Sequence, residues 1–195
     1  VAVNPATPKD TFICASANIC YQFSASDVNG GTLTWSKLSG NGTVSATGQW
    51  CFTANSTGAY TVLAAVTDAC GAADSVTLTY NVTINVPPVI AFGNDTTGAL
   101  CPGGNICLPY TVSDANTNLT LEQLLSGSGT IDTVLNKVCF TPPATGSYTF
   151  IVKATDACGA TDQDTINVSV TVGTIPVVTC PGTQTAFLCA SQQLC

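Results

Sequence analysis

The run Val76-Thr-Leu-Thr-Tyr-Asn-Val-Thr-Ile84 alternates apolar and polar residues with a period of two, and Thr165-Ile-Asn-Val-Ser-Val-Thr-Val172 does the same. That alternation puts Val76, Leu78, Tyr80, Val82 and Ile84 on one face, with threonines and Asn81 on the other, as a half-buried strand requires. β-branched residues suit such a pleated surface. Turn-forming clusters, Asn29-Gly-Gly31, Gly40-Asn-Gly42 and Asn55-Ser-Thr-Gly58, punctuate the runs. Strands are predicted near 8–14, 20–26, 32–38, 43–46, 49–54, 59–68 and 75–85, with equivalents later in the chain. The pattern is strand, not helix.

The chain also repeats itself. Cys14-Ala-Ser-Ala-Asn-Ile-Cys20 returns as Cys101-Pro-Gly-Gly-Asn-Ile-Cys107 and again as Cys189-Ala-Ser-Gln-Gln-Leu-Cys195. Cys51-Phe-Thr53 answers Cys139-Phe-Thr141, Leu38-Ser-Gly-Asn-Gly-Thr43 answers Leu125-Ser-Gly-Ser-Gly-Thr130, and Thr67-Asp-Ala-Cys-Gly-Ala72 answers Thr155-Asp-Ala-Cys-Gly-Ala160. Self-similarity at a fixed period marks a repeat architecture. About seven short strands in roughly 88 residues predict a two-sheet β-sandwich. The expected organisation is an all-β chain of tandem, disulfide-stabilised β-sandwiches: 1–86, 87–173, and 174–195 as the start of a third repeat or an exchanged donor segment. Pro87-Pro88 and Thr174-Ile-Pro176 mark the junctions, because proline ends sheet pairing.

Composition narrows the function. The 195 residues carry 11 acidic side chains, 4 basic ones and no histidine, for a net charge of −7 and only 8% charged residues. Four dispersed lysines cannot neutralise a run of phosphates, which argues against nucleic-acid binding. Mean hydropathy is +0.35, yet no stretch reaches the roughly 18 uninterrupted apolar residues of a membrane span, so no insertion is expected. Eleven cysteines, without CxxC pairs, belong to an oxidising compartment and place the chain outside the cell or on its surface. The chain starts without methionine or a positively charged signal segment, and reads as a mature form or a fragment. Without histidine, a nucleophile elbow or a phosphate loop, no catalytic residue is assigned, and no enzyme is expected.

The succession Phe23-Ser-Ala-Ser-Asp27, Gly58-Ala-Tyr60, Ala65-Val-Thr-Asp68-Ala-Cys-Gly71 and Val82-Thr-Ile-Asn-Val-Pro-Pro88 resembles bacterial cadherin-like and Ig-like tandem repeats. Pro176-Val-Val-Thr-Cys180-Pro181 is similar to the opening of hyalin-type repeats. The resemblance implies rod-like extracellular modules for adhesion or spacing. It also implies calcium at Asp27, Asn29 and Asp68, and at Asp114, Asn116 and Asp156. The sequence departs from that pattern, since the linker Asn81–Pro88 has no carboxylate and Glu122 is the only glutamate. Apart from calcium at these positions, no cofactor is expected. The alternative role for the aspartates is to satisfy turn amides.

Strand parity bears on the cysteines. Tyr21, Phe23 and Ala25 should face the core, as should Trp50 and Phe52, which turns Cys20 and Cys51 outward. The second and fifth strands of a sandwich are neighbours, so Cys20–Cys51 and Cys107–Cys139 can bridge across strands. Cys14 and Cys70 then lie at opposite poles of one sandwich, beyond the roughly 7 Å that a bridge spans. Cys14 could instead reach Cys158 of the next repeat, an inter-repeat disulfide standing where calcium stands in the resembling family. The competing assignment is local: Cys14–Cys20, Cys101–Cys107, Cys51–Cys70 and Cys139–Cys158. Both remain open at this point.

Glycosylation sequons fall at Asn41, Asn55, Asn81, Asn94, Asn118 and Asn167. Trp35 and Trp50 could offer a sugar-stacking surface, although Trp50 aligns with Val138 and so belongs to the core. The expected function is a structural stalk, adhesin shaft or filament, with neighbouring repeats or identical subunits as partners. Polymerisation by donation of 175–195 is one alternative, and a module recognising surface glycans or proteins is another.

Overall fold

The alternating segments form strands along the whole of the computed structural model, which describes residues 1–174, 176 and 177. The first sequence repeat contributes β1 (Ala2–Val3), β2 (Lys9–Ile13), β3 (Ala17–Gln22), β4 (Ala25–Ser26), β5 (Thr34–Gly40), β6 (Thr43–Val44), β7 (Gln49–Ala54), β8 (Gly58–Thr67) and β9 (Ala73–Ile84). The second contributes β10 (Val89–Phe92), β11 (Thr96–Leu100), β12 (Ile106–Ser113), β13 (Leu119–Ser126), β14 (Thr130–Asp132), β15 (Lys137–Phe140), β16 (Gly146–Asp156) and β17 (Thr161–Val172). The strand expected at 20–26 starts earlier, at Ala17, and is interrupted between Gln22 and Ala25.

Sheet order follows one plan twice. In the first repeat the sheets run β2-β9-β8-β5 and β3-β7-β6, with a β1-β4 pair. In the second they run β11-β17-β16-β13 and β10-β12-β15-β14. In both, the strand after the N-terminal crossing pairs parallel with the last one, Ile13 with Ile84 and Leu100 with Val172. The β1–β4, β3–β7, β5–β8, β6–β7, β12–β15 and β14–β15 pairs are antiparallel, as is the β8–β9 hairpin that sets Tyr60 opposite Tyr80. This is an all-β, Ig-like or cadherin-like sandwich.

Inward-facing positions fill the space between sheets. In the first repeat Trp50, Phe52, Ala54, Val62, Ala64, Leu78 and Val82 are buried together with Phe23, Trp35 and Tyr60. Trp50 is fully enclosed, and its indole N–H donates to the Asn41 carbonyl at 2.8 Å, so its polar atom is satisfied in the core. Trp35 stacks on Phe23 at 5.3 Å and is also buried. Neither tryptophan is free to stack on a sugar. In the second repeat Leu108, Val138, Phe140, Phe150, Val152, Ile166, Val168 and Val170 are buried. Val138 stands where Trp50 stands in the first.

Contacts divide the chain into two compact units. One comprises Val1–Val89, Val112–Leu121 and Ala154–Asp162; the other comprises Ile90–Thr111, Glu122–Lys153 and the described residues from Gln163 onward. The grouping follows space rather than the repeat arithmetic of 1–86 and 87–173. Residues 112–121 and 154–162 join the first unit because they carry the hydrogen bonds and the disulfide that reach Cys14, Asn85 and Val86. The expected third-repeat or donor segment lies outside the described residues except for Thr174, Pro176 and Val177, and so do Cys180, Cys189 and Cys195. Among the described residues no helix is long and apolar enough to cross a membrane.

Candidate functional site: a disulfide-tied loop cluster

The site is built within the first compact unit, from the end of β2 and from the loop after β16. The parallel pairing of Ile13 with Ile84 is continued by Asn85 N–H, which donates to the Ile13 carbonyl at 2.9 Å. Cys14 therefore leaves its strand beside the start of the linker. The loop opposite is organised by one carboxylate. Asp156 Oδ1 accepts from the backbone N–H of Cys158 at 2.9 Å and of Ala160 at 2.8 Å. Asp156 N–H donates to the Ala160 carbonyl at 3.0 Å, and Gly159 N–H donates to the Asp156 carbonyl at 3.1 Å. Gly159 has φ +79°, a left-handed conformation that glycine adopts without steric penalty. Thr-Asp-Ala-Cys-Gly-Ala thus encodes a self-capped turn that presents a cysteine. Cys158 is bonded to Cys14, with 5.3 Å between their Cα atoms and 144 residues between them in sequence.

Polar contacts surround this bond. Asn85 Nδ2 donates to Asp156 Oδ2 at 2.6 Å, and Val86 N–H donates to Asn116 Oδ1 at 2.6 Å. Asn116 N–H in turn donates to Asp114 Oδ1 at 2.7 Å, and Ala157 N–H to the Asn118 carbonyl at 2.9 Å. Asp156 is only 2% exposed. The Asn85 amide, followed by the loop's own N–H groups, holds its carboxyl below the usual carboxylate range against the opposing effect of burial. Sequence reasoning missed Asn85. Its signal was its place just before Pro87-Pro88, where a search for carboxylates passed over an amide.

The positions implied for calcium are arranged differently in the two repeats. Asp114, Asn116 and Asp156 gather around Asn85 and Val86. Asp27 Oδ1 accepts from Asn29 N–H at 3.3 Å, and Asp68 Oδ1 from Cys70 N–H and Ala72 N–H, each at 2.8 Å. Calcium is held by six to eight oxygens. Here amide N–H groups of Asn85 and Val86 point at the Asp156 and Asn116 oxygens, and Glu122 accepts the Tyr110 hydroxyl. Among the described residues no group of three or more His, Cys, Asp or Glu is placed to hold a metal ion. In this arrangement the Asp156 and Asn116 oxygens are engaged by the N–H groups of Asn85 and Val86, and Asp27 and Asp68 accept from the N–H groups of their own turns.

The remaining cysteines follow the ladder. Cys20 lies directly opposite Cys51, and Cys107 opposite Cys139. Both pairs are bonded, with Cα separations of 4.1 Å and 4.0 Å. The local alternatives Cys14–Cys20, Cys101–Cys107, Cys51–Cys70 and Cys139–Cys158 are not the bonds of the structure. Their physical fault is shared: the ladder pairs the strand cysteines with each other and leaves the loop cysteine to Cys14. Among the described residues Cys70 and Cys101 are unbonded and exposed. Of the sequon asparagines, Asn41, Asn55, Asn81, Asn94 and Asn167 are exposed and Asn118 is half-buried. The amides of Asn81 and Asn167 donate to Asp10 and Asp95.

No protein-family model matches the chain, and no curated protein matches it. Solved structures do. Extracellular cadherin domains 3–6 of protocadherin gamma B2 share a TM-score of 0.56 and 11% identity, covering 88% of this chain and 53% of that one. The human desmocollin-1 ectodomain gives 0.55 and 10%, covering 87% and 42%. Drosophila N-cadherin EC1-4 gives 0.53 and 15%, covering 89% and 50%. The chain thus spans about half the length of these cadherin structures, and at such identity the likeness is one of fold.

Proposed function

We propose that this chain is part of an extracellular, non-enzymatic structural protein, a stalk, adhesin shaft or filament built from disulfide-stapled β-sandwich repeats. The observation that carries the reading is the Cys14–Cys158 bond. Tension entering near residue 1 and leaving beyond residue 158 passes through this bond and bypasses everything between. Three bridges in a described chain of this size suit an oxidising exterior. The solved structures of similar fold are described as ectodomains and extracellular domains, which agrees with that location. Durability is the common theme of low charge, cross-strand bridges and a covalent bypass.

Force spectroscopy on the full chain, pulled from its ends, tests the reading. At about 3.5 Å per extended residue, the 144 residues shielded by the bridge correspond to on the order of 500 Å of contour. That length should stay hidden under oxidising conditions and be released with reductant. Its release without reductant would reject the load-bearing role.

A further inference from the structure

We propose that Cys70 and Cys101 are the two open halves of the same staple, and that a second copy of this chain closes it, Cys101 of one molecule bonding Cys70 of the next. The proposal rests on the stapled-repeat reading above and names its partner. Cys101 occupies the position of Cys14. It follows β11, whose Leu100 pairs with Val172 as Ile13 pairs with Ile84. Gly173 N–H donates to the Leu100 carbonyl at 2.8 Å, as Asn85 N–H donates to Ile13 at 2.9 Å.

Cys70 occupies the position of Cys158 in equal detail. Asp68 Oδ1 accepts from Cys70 N–H and Ala72 N–H, both at 2.8 Å. Asp68 N–H donates to the Ala72 carbonyl at 3.0 Å, Gly71 N–H donates to the Asp68 carbonyl at 3.2 Å, and Gly71 has φ +86°. The turn holds this form with no disulfide attached, so it is built in advance of the bond. Both thiols are exposed, and each has a bonded counterpart in the other repeat of the same molecule.

The polarity of the halves sets which kind of cysteine each one takes. Cys14 bonds the loop cysteine of the repeat that follows it, so Cys101 calls for a loop cysteine of a further repeat and Cys70 for a strand-end cysteine of a preceding one. A second copy supplies both, head to tail, and a heterologous contact of this kind propagates without closing. In the alignment of the repeats Thr174 and Asn29 correspond to Val86 and Asn116. Gly173 replaces Asn85, which removes the amide that binds the loop aspartate. The intermolecular joint therefore depends on its disulfide and comes apart on reduction.

Closure is thiol–disulfide exchange with a small disulfide such as oxidised glutathione. The Cys70 thiolate attacks one glutathione sulfur, forming a mixed disulfide and releasing one glutathione thiolate. The Cys101 thiolate of the second molecule then attacks the Cys70 sulfur and releases the other. One S–S bond is made and one broken, and the two protein protons end on the two glutathione thiols.

The test uses the full chain with Cys180→Ser, Cys189→Ser and Cys195→Ser, made in two forms, one also C70S and the other also C101S. Each form is held alone, and both are mixed, in a glutathione redox buffer. The mixture should double in mass on a non-reducing gel and yield a Cys70–Cys101 linked peptide, while each form alone stays monomeric. Dimers of equal yield in either form alone mean unselective oxidation and overturn the proposal. A monomeric mixture in which Cys14–Cys158 is still mapped overturns this pairing but leaves the stapled reading; loss of Cys14–Cys158 from the same map overturns both.

Discussion

At Gly40 the chain has φ +96°, and an added Cβ would lie 2.1 Å from the Thr61 carbonyl oxygen. At Gly42 the same atom would meet the Cys51 carbonyl oxygen at 2.1 Å, with φ +69°. Gly127, the equivalent of Gly40, has φ +104° and abuts Phe150. The recurrence of Leu-Ser-Gly-x-Gly-Thr is thus a requirement for backbone without a side chain, not a binding signature. Gly40→Ala should lower stability by about 1–3 kcal/mol for the backbone conformation alone, read by urea denaturation. Gly146 has no positive φ and nothing within 4 Å of its added Cβ, so Gly146→Ala should stay within about 0.5 kcal/mol of the parent. Equal costs would refute the argument. Tyr60 gives the Gly58-Ala-Tyr60 motif, matched by Gly146-Ser-Tyr148, its reason. Its hydroxyl accepts from Asn55 N–H at 3.1 Å and Ser56 N–H at 3.2 Å and donates to the Ser56 carbonyl at 3.0 Å, and Tyr148 donates to the Ala144 carbonyl at 2.6 Å. Gly-x-Tyr latches the loop ahead of its own strand. Such reasons are hidden in a sequence because the partner atoms belong to backbone that only the fold brings near.

At the scale of strands and loops, much was readable. Period-two alternation located β9 and β17, since a strand buried on one face must alternate. Boundaries were less so: β3 begins at Ala17 because its pairing with Ala54 extends the ladder beyond the apolar run. Parity turned Cys20 and Cys51 outward but left two connectivities, and only the register, with Cys20 opposite Cys51, separates them. The loop site was half legible. Asp156 and Cys158 stood out by repetition, whereas Asn85 joins them from a different segment and carries no local signature. The acid response of this loop is specific. Asp156 binds its proton more weakly when folded than its ordinary value of 3.8, so its contribution to stability is complete above that value and is lost as pH falls through the lower folded one. Asp156→Asn, which sets an amide against the Asn85 amide, should therefore be less stable than the parent near neutrality. The gap in melting temperature should narrow below about pH 4, as followed by circular dichroism. A gap that stays constant from neutrality into acid would show that the charge is not the stabilising feature.

For the molecule as a whole, the question is which interaction carries its durability. A bridge contributes roughly 2–4 kcal/mol by restricting the unfolded chain, and more as the closed loop lengthens; the three here close separations of 31, 32 and 144 residues. For a chain of this length each kcal/mol moves the melting temperature by about 2–4 °C, so reducing all three should lower it by on the order of 20 °C. Calcium would act through a different law, raising stability with the logarithm of its concentration above the dissociation constant. At the cluster Asn85 and Val86 already donate to Asp156 and Asn116, so calcium would have to displace these hydrogen bonds. Calorimetry in calcium and in chelator should therefore give superimposable transitions for the oxidised chain, with a large drop only on reduction. If millimolar calcium instead raises the transition, most of all in the reduced chain where the Cys14–Cys158 tie is gone, then a cation and not a covalent bond is what this architecture relies on.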